Sequence, residues 1–176
     1  MKGAAPERLD LACAWLVEAT PREQVVALAA AAEMVLPAWK RYARELAALE
    51  GEGEDEEEAR SFRKAPVQAL AASRAWLHAG GSVEALWRWA EAAYRAVETA
   101  AEDAHASELA SPAAGAAVVC AVASYVALRE ALAAAGMPAT PEELGLAPGW
   151  DASEGLYGAF EAAGLDEHTE AAWLAR

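Results

Sequence analysis

The chain has 176 residues, 51 of them alanine, with no isoleucine and no asparagine. Alanine is the best helix former, and eleven Val with four Thr are too little β-branched material for a sandwich or barrel, so an all-α fold is expected. A formal net charge of −14 opposes binding to nucleic acid or an anionic membrane, and the length suits one domain over residues 1–176 whose core needs no disulfide or metal staple.

A first helix is expected from about Glu7 to Ala19, with Leu9, Cys13 and Leu16 on one face and Leu11 beside them. Thr20-Pro21-Arg22-Glu23 is a complete capping box and opens a second helix. That helix carries Val25, Leu28, Ala32, Val35, Leu36, Trp39, Tyr42 and Leu46 at helical spacing, and Pro37 inside it should kink or divide it. Seven of the nine residues 50–58 are acidic, so half of the charge imbalance sits in one segment, read as a flexible acidic loop over residues 50–60. The third helix is expected to begin near Ala65-Pro66, to carry Val67, Leu70, Ala71, Arg74 and Leu77, and to end at Gly80-Gly81.

Ser82 then caps a fourth helix with an inner stripe of Leu86, Ala90, Ala93, Val97 and Ala101 and an outer charged side from Glu84 to Glu98. Ser111-Pro112 looks like the cap of a fifth helix that Gly136 closes. Its first seventeen residues, 112–128, carry no charge, the short limit for a membrane span; their small size points instead to the buried centre of a bundle. From residue 137 the texture is broken by glycines. After a further capping box at Thr140-Pro141-Glu142-Glu143, an irregular C-terminal cap of short helices is expected, near residues 153–163 and 166–175. The architecture expected is a single Ala-rich bundle of about five main helices with that cap on it.

No constellation points to catalysis or to a cofactor. Cys13 and Cys120 lie on apolar faces and suit small buried hydrophobes of a reducing compartment. The N-terminus reaches Glu7, Arg8 and Asp10 before any apolar stretch, so it reads as no secretory leader and the location expected is cytoplasmic. Glu102-x-x-His105 has the spacing of two metal ligands on one helix face, but a second such motif is missing. A metal-dependent enzyme using Glu98, Glu102 and His105 is therefore only an alternative, and no metal is expected.

Seven tryptophans are more suggestive. Trp87 and Trp89 lie about 200° apart around a helix, so one of them should approach the surface beside Arg88. Trp and Arg are enriched at interface hot spots. Trp39 beside Lys40-Arg41, Trp150 and Trp173 are further candidate anchors.

Val35-Leu36-Pro37 and the stretch from Arg63-Lys64-Ala65-Pro66 to Ser73-Arg74-Ala75-Trp76 resemble a family of immunity proteins of bacterial polymorphic toxin systems. The likeness spans roughly residues 25–135 and implies an Ala-rich helical domain that binds another protein. Members tend to carry histidines on the two helices that follow, where this chain keeps only His105.

The expectation is a non-enzymatic, protein-binding helical domain, an immunity-type inhibitor of a cationic toxin. The acidic arm Glu54, Asp55, Glu56, Glu57 and Glu58 would steer the encounter, and Trp87, Arg88 and Trp89 would anchor it. The alternative partner is a second copy, in a self-associating scaffold.

Overall fold

The computed structural model describes residues 4–49, 56–140, 142–145 and 151–164. In chain order they form α1 (Ala4–Glu18), α2 (Pro21–Leu49), α3 (Glu56–Ala79), α4 (Val83–Glu102), a 3₁₀ turn (Asp103–His105), α5 (Ala110–Ala134) and α6 (Ala152–Ala163), with no strand among the described residues. The all-α bundle expected from composition is what the chain adopts.

Most starts follow local chemistry. The Thr20 N–H donates to Glu23 Oε2 at 2.9 Å and the Glu23 N–H to Thr20 Oγ1 at 3.3 Å, the reciprocal pair of a capping box. Ser82 Oγ accepts from the Ala85 N–H at 3.3 Å and starts α4. Ahead of it Gly80 and Gly81 both have positive φ, and a side chain at Gly81 would press on the Trp76 backbone. The box at Thr140 also forms, with the Thr140 N–H on Glu143 Oε2 at 2.7 Å, but residues 142–145 make a turn rather than a helix.

Three boundaries depart from expectation. Helix α3 begins at Glu56, so residues 56–60 belong to it rather than to the acidic loop, and Pro66 lies inside it. Carboxylates at Glu56, Glu57 and Glu58 complement the positive end of the helix, so the acidic run starts a helix that its charge seemed to argue against. Ser111-Pro112 does not cap α5. The helix starts earlier, at Ala110, with Pro112 in its first turn, where a missing N–H costs no hydrogen bond. Helix α2 runs without a break through Pro37. Helix α6 matches the first expected C-terminal helix; the second, near 166–175, lies outside the described residues.

Helix α5 is the centre, packed on α2, α3, α4 and α6. Every residue from 119 to 128 is buried. By length and composition α5 could cross a membrane, yet its neighbours cover most of it. Small residues let those neighbours come close. A Cβ on Gly115 would collide with the Gly158 carbonyl oxygen, and one on Gly158 would lie 2.9 Å from the Gly115 carbonyl oxygen, so α6 rests on α5 backbone to backbone.

Larger side chains fill what remains: Trp39, Tyr42, Leu28, Leu86 and Leu128 are almost fully covered, each apolar side chain worth roughly 1.5–3 kcal/mol of burial. The two buried serine hydroxyls are paired inside the bundle, Ser124 Oγ donating to the Leu86 carbonyl at 3.2 Å and so tying α5 to α4. The inner stripe of α4 is Leu86, Ala90, Ala93, Ala96 and Ala100; Val97 is only half-buried and Ala101 exposed. On α3 the buried residues are Ala65, Pro66, Ala69, Leu70 and Ser73, while Ala71 and Arg74 face solvent.

Candidate interaction surface

Glu56, Glu57 and Glu58 of the acidic arm sit on α3 and the Trp-Arg-Trp triplet on α4, and the two helices pack side by side. Glu56, Glu57 and Glu58 are exposed in the first turn of α3, and Glu56 pairs with Arg60 one turn on. Glu54 and Asp55 lie outside the described residues. A groove of about 290 Å³ runs between the two helices, lined by Glu58, Ser61 and Phe62 from α3 and Arg88, Glu91 and Arg95 from α4. The fold thus brings Glu58 and Arg88, thirty residues apart in sequence, to one surface.

Within that surface the charges are partly spent. Arg95 and Glu91 form an ion pair at 2.6 Å, and the Arg88 guanidinium stacks over the Trp89 ring, 5.0 Å from its centre. Trp89 is half-buried against the core, while Trp87 is 40 % exposed, in keeping with one of the pair near the surface. Phe62 gives the groove an apolar side and contacts Trp39 edge-on, with ring centres 5.7 Å apart.

Trp39 itself is no anchor. It is completely buried and its indole N–H donates to the Arg63 carbonyl at 2.9 Å, so it fastens α2 to α3. Trp150 and Trp173 lie outside the described residues.

The metal alternative gains no geometry: among the described residues no three His, Cys, Asp or Glu side chains could hold one ion. Glu102 and His105 are both exposed at the end of α4 and in the 3₁₀ turn that follows it, with no third ligand beside them among the described residues. Glu98 is taken up with Tyr94, whose hydroxyl is pushed above its ordinary pKa by burial and by that carboxylate. Both thiols are buried, and burial alone pushes Cys120 up to about 12, which leaves it un-ionised and inert at neutral pH.

Two features escaped the sequence reading. The first is the outer face of α1, where Leu11 and Trp15, one turn apart, are 70 % and 57 % exposed. The Tyr157 hydroxyl, donating to Asp10 at 3.0 Å, helps to hold this helix to α6, and that bond raises the Tyr157 pKa to about 12. The second is a groove at the C-terminal end of α5, where Tyr125 and Arg129 meet the α1–α2 junction and the start of α6. Tyr125 is 1 % exposed and its hydroxyl has no hydrogen-bond partner.

No protein-family model matches the chain, and no curated protein and no solved structure shows significant similarity to it.

Proposed function

We propose that this chain is a non-enzymatic protein-binding domain, an immunity-type inhibitor of a cationic toxin, acting through the α3–α4 surface. The observation that carries the reading is the meeting of Glu58 with Arg88 on one groove, next to the exposed acidic turn of α3. Complementary charge raises the encounter rate, and a stacked Arg beside aromatic side chains supplies the kind of anchor that holds a complex once formed. The net charge of −14 favours a basic partner, and the sequence resemblance over residues 25–135 supports the toxin class.

Affinity capture from lysate of the source cells, at low and moderate salt, tests the reading when run beside two variants. One carries Glu56→Gln, Glu57→Gln and Glu58→Gln; the other carries Trp87→Ala and Arg88→Ala. A stoichiometric basic protein is expected, lost as salt rises, captured more slowly by the first variant and released faster by the second. Retention that neither variant alters would overturn the assignment of this surface.

Self-association is the second reading, favoured by the apolar step of Leu11 and Trp15 on α1. Sedimentation at several concentrations separates the two, because a Trp15→Ser change would dissolve a dimer built on α1 and leave capture through α3–α4 untouched.

A further inference from the structure

The orphaned Tyr125 hydroxyl stands out because buried polar atoms in folded proteins are nearly always paired. It exposes less than 1 Å² and makes no hydrogen bond, whereas the buried Ser73 and Ser124 hydroxyls each hold a backbone carbonyl and the Tyr42 hydroxyl donates to Asp103 Oδ2 at 2.5 Å. Leaving it unpaired is a cost that phenylalanine at the same position would avoid. Beside it, the Arg129 guanidinium lies over the Tyr125 ring, 5.8 Å from its centre, with no carboxylate within ion-pair distance among the described residues.

Both residues line a groove of about 290 Å³, at the lower end of the range for small-molecule sites. Val17, Pro21, Val126 and Pro138 give it apolar walls, and Gln24, Glu130 and Asp151 add polar ones. The Gln24 amide N–H donates to the Leu16 carbonyl at 2.8 Å, which leaves the amide oxygen as an acceptor. Asp151 caps α6 through Oδ1 alone, accepting from the Ser153 and Glu154 N–H groups at 2.9 and 3.1 Å, and keeps Oδ2 in reserve.

The charges decide what fits. A bare anion would meet Arg129 but also two carboxylates, and a bare cation would meet those carboxylates but also Arg129. A zwitterion satisfies both ends, and an apolar substituent uses the walls. We propose that the groove binds a free α-amino acid with an apolar side chain, its carboxylate taken by Arg129 and the Tyr125 hydroxyl and its ammonium by Glu130, Asp151 and the Gln24 oxygen. The exposed Arg129 side chain turns from the Tyr125 ring onto the carboxylate as the ligand enters, and this movement opens the hydroxyl. Tyr125 then exchanges an unsatisfied donor for a charge-assisted hydrogen bond. The site shares no residue with the α3–α4 surface and stands apart from the protein-binding reading.

Titration calorimetry of the whole chain with L-phenylalanine, phenylacetate and phenethylamine tests it. L-phenylalanine should bind saturably, and each analogue lacking one charged end should bind at least about tenfold more weakly. Arg129→Gln, at an exposed position that leaves the fold intact, should weaken L-phenylalanine about tenfold while sparing phenethylamine. Tyr125→Phe should also weaken it, with an unfolding midpoint equal to or above that of the unaltered chain. No binding of L-phenylalanine at about 10 mM overturns the proposal. So does equal binding of the three probes, indifference to Arg129→Gln, or a fall in the midpoint of Tyr125→Phe, which would mean that the hydroxyl is already paired.

Discussion

Helices α5 and α1 place opposite kinds of side chain in opposite environments. Eight of the ten buried residues 119–128 at the centre of α5 are Ala, Val, Ser or Cys, with Tyr125 and Leu128 the large exceptions, whereas α1 shows Leu11 and Trp15 to solvent. Hydrophobic size does not decide which helix goes inside; closeness of approach does. Dispersion and burial reward a dense interior, and a helix with small side chains lets four neighbours reach its backbone at once. A large residue at the periphery is free to serve contacts outside the bundle.

Changes at the α5–α6 seam should break that contrast most sharply. Gly115→Ala forces a methyl group into the Gly158 carbonyl, and we expect a loss of about 3 kcal/mol or more in denaturant unfolding. Leu128→Ala leaves a cavity at a site 1 % exposed and should cost about 2.5 kcal/mol in the same assay. Trp15→Ala removes a far larger side chain from α1, yet it should stay within about 0.5 kcal/mol of the unaltered chain; a loss comparable to Leu128→Ala would mean that α1 is packed more firmly than its exposure indicates.

Smaller effects sharpen the comparison on the α1 side. Tyr157→Phe deletes the bond to Asp10 across α1 and α6, and hydrogen exchange should show α1 opening more readily while the amides of α5 keep their protection. At the α1–α2 junction, the Thr20 hydroxyl and N–H hold the Glu23 carboxyl below its ordinary pKa. A depressed carboxylate contributes stability that is present above its unfolded-state value and is lost as pH falls through the lowered folded value, so the junction should loosen only in acid. An NMR titration of Glu23 would show the depressed value, moving toward normal in Thr20→Ala.

Where the chain carries its own local chemistry, sequence and structure agree: the reciprocal bonds at Thr20 and Thr140 and the Ser82 cap depend on residues three apart. Pro66 and Ser111-Pro112 misled because proline marks a helix start only when nothing before it can be helical. In α3 the run from Glu56 supplies ten helical residues ahead of Pro66. The sites were less legible. Glu58 and Arg88 are each visible as charges, but their shared groove depends on how α3 lies along α4. Trp39 and Trp87 are both tryptophans on amphipathic helices, and only packing makes one a fastener and the other an exposed edge. The pairing of Tyr125 with Arg129 was open to a one-turn spacing argument, yet the missing partner for the hydroxyl is a property of the assembled bundle.

The two cysteines give the molecule a built-in pair of clocks. Cys120 sits at the middle of α5 with its ionisation suppressed, and Cys13 lies under α1, at the edge of the bundle, its thiol also pushed up by burial. An alkylating reagent reaches Cys120 only when the whole bundle comes apart, and Cys13 when α1 alone lifts away. The ratio of the two labelling rates therefore times the departure of the outer helix against the collapse of the interior, without the introduction of any foreign probe.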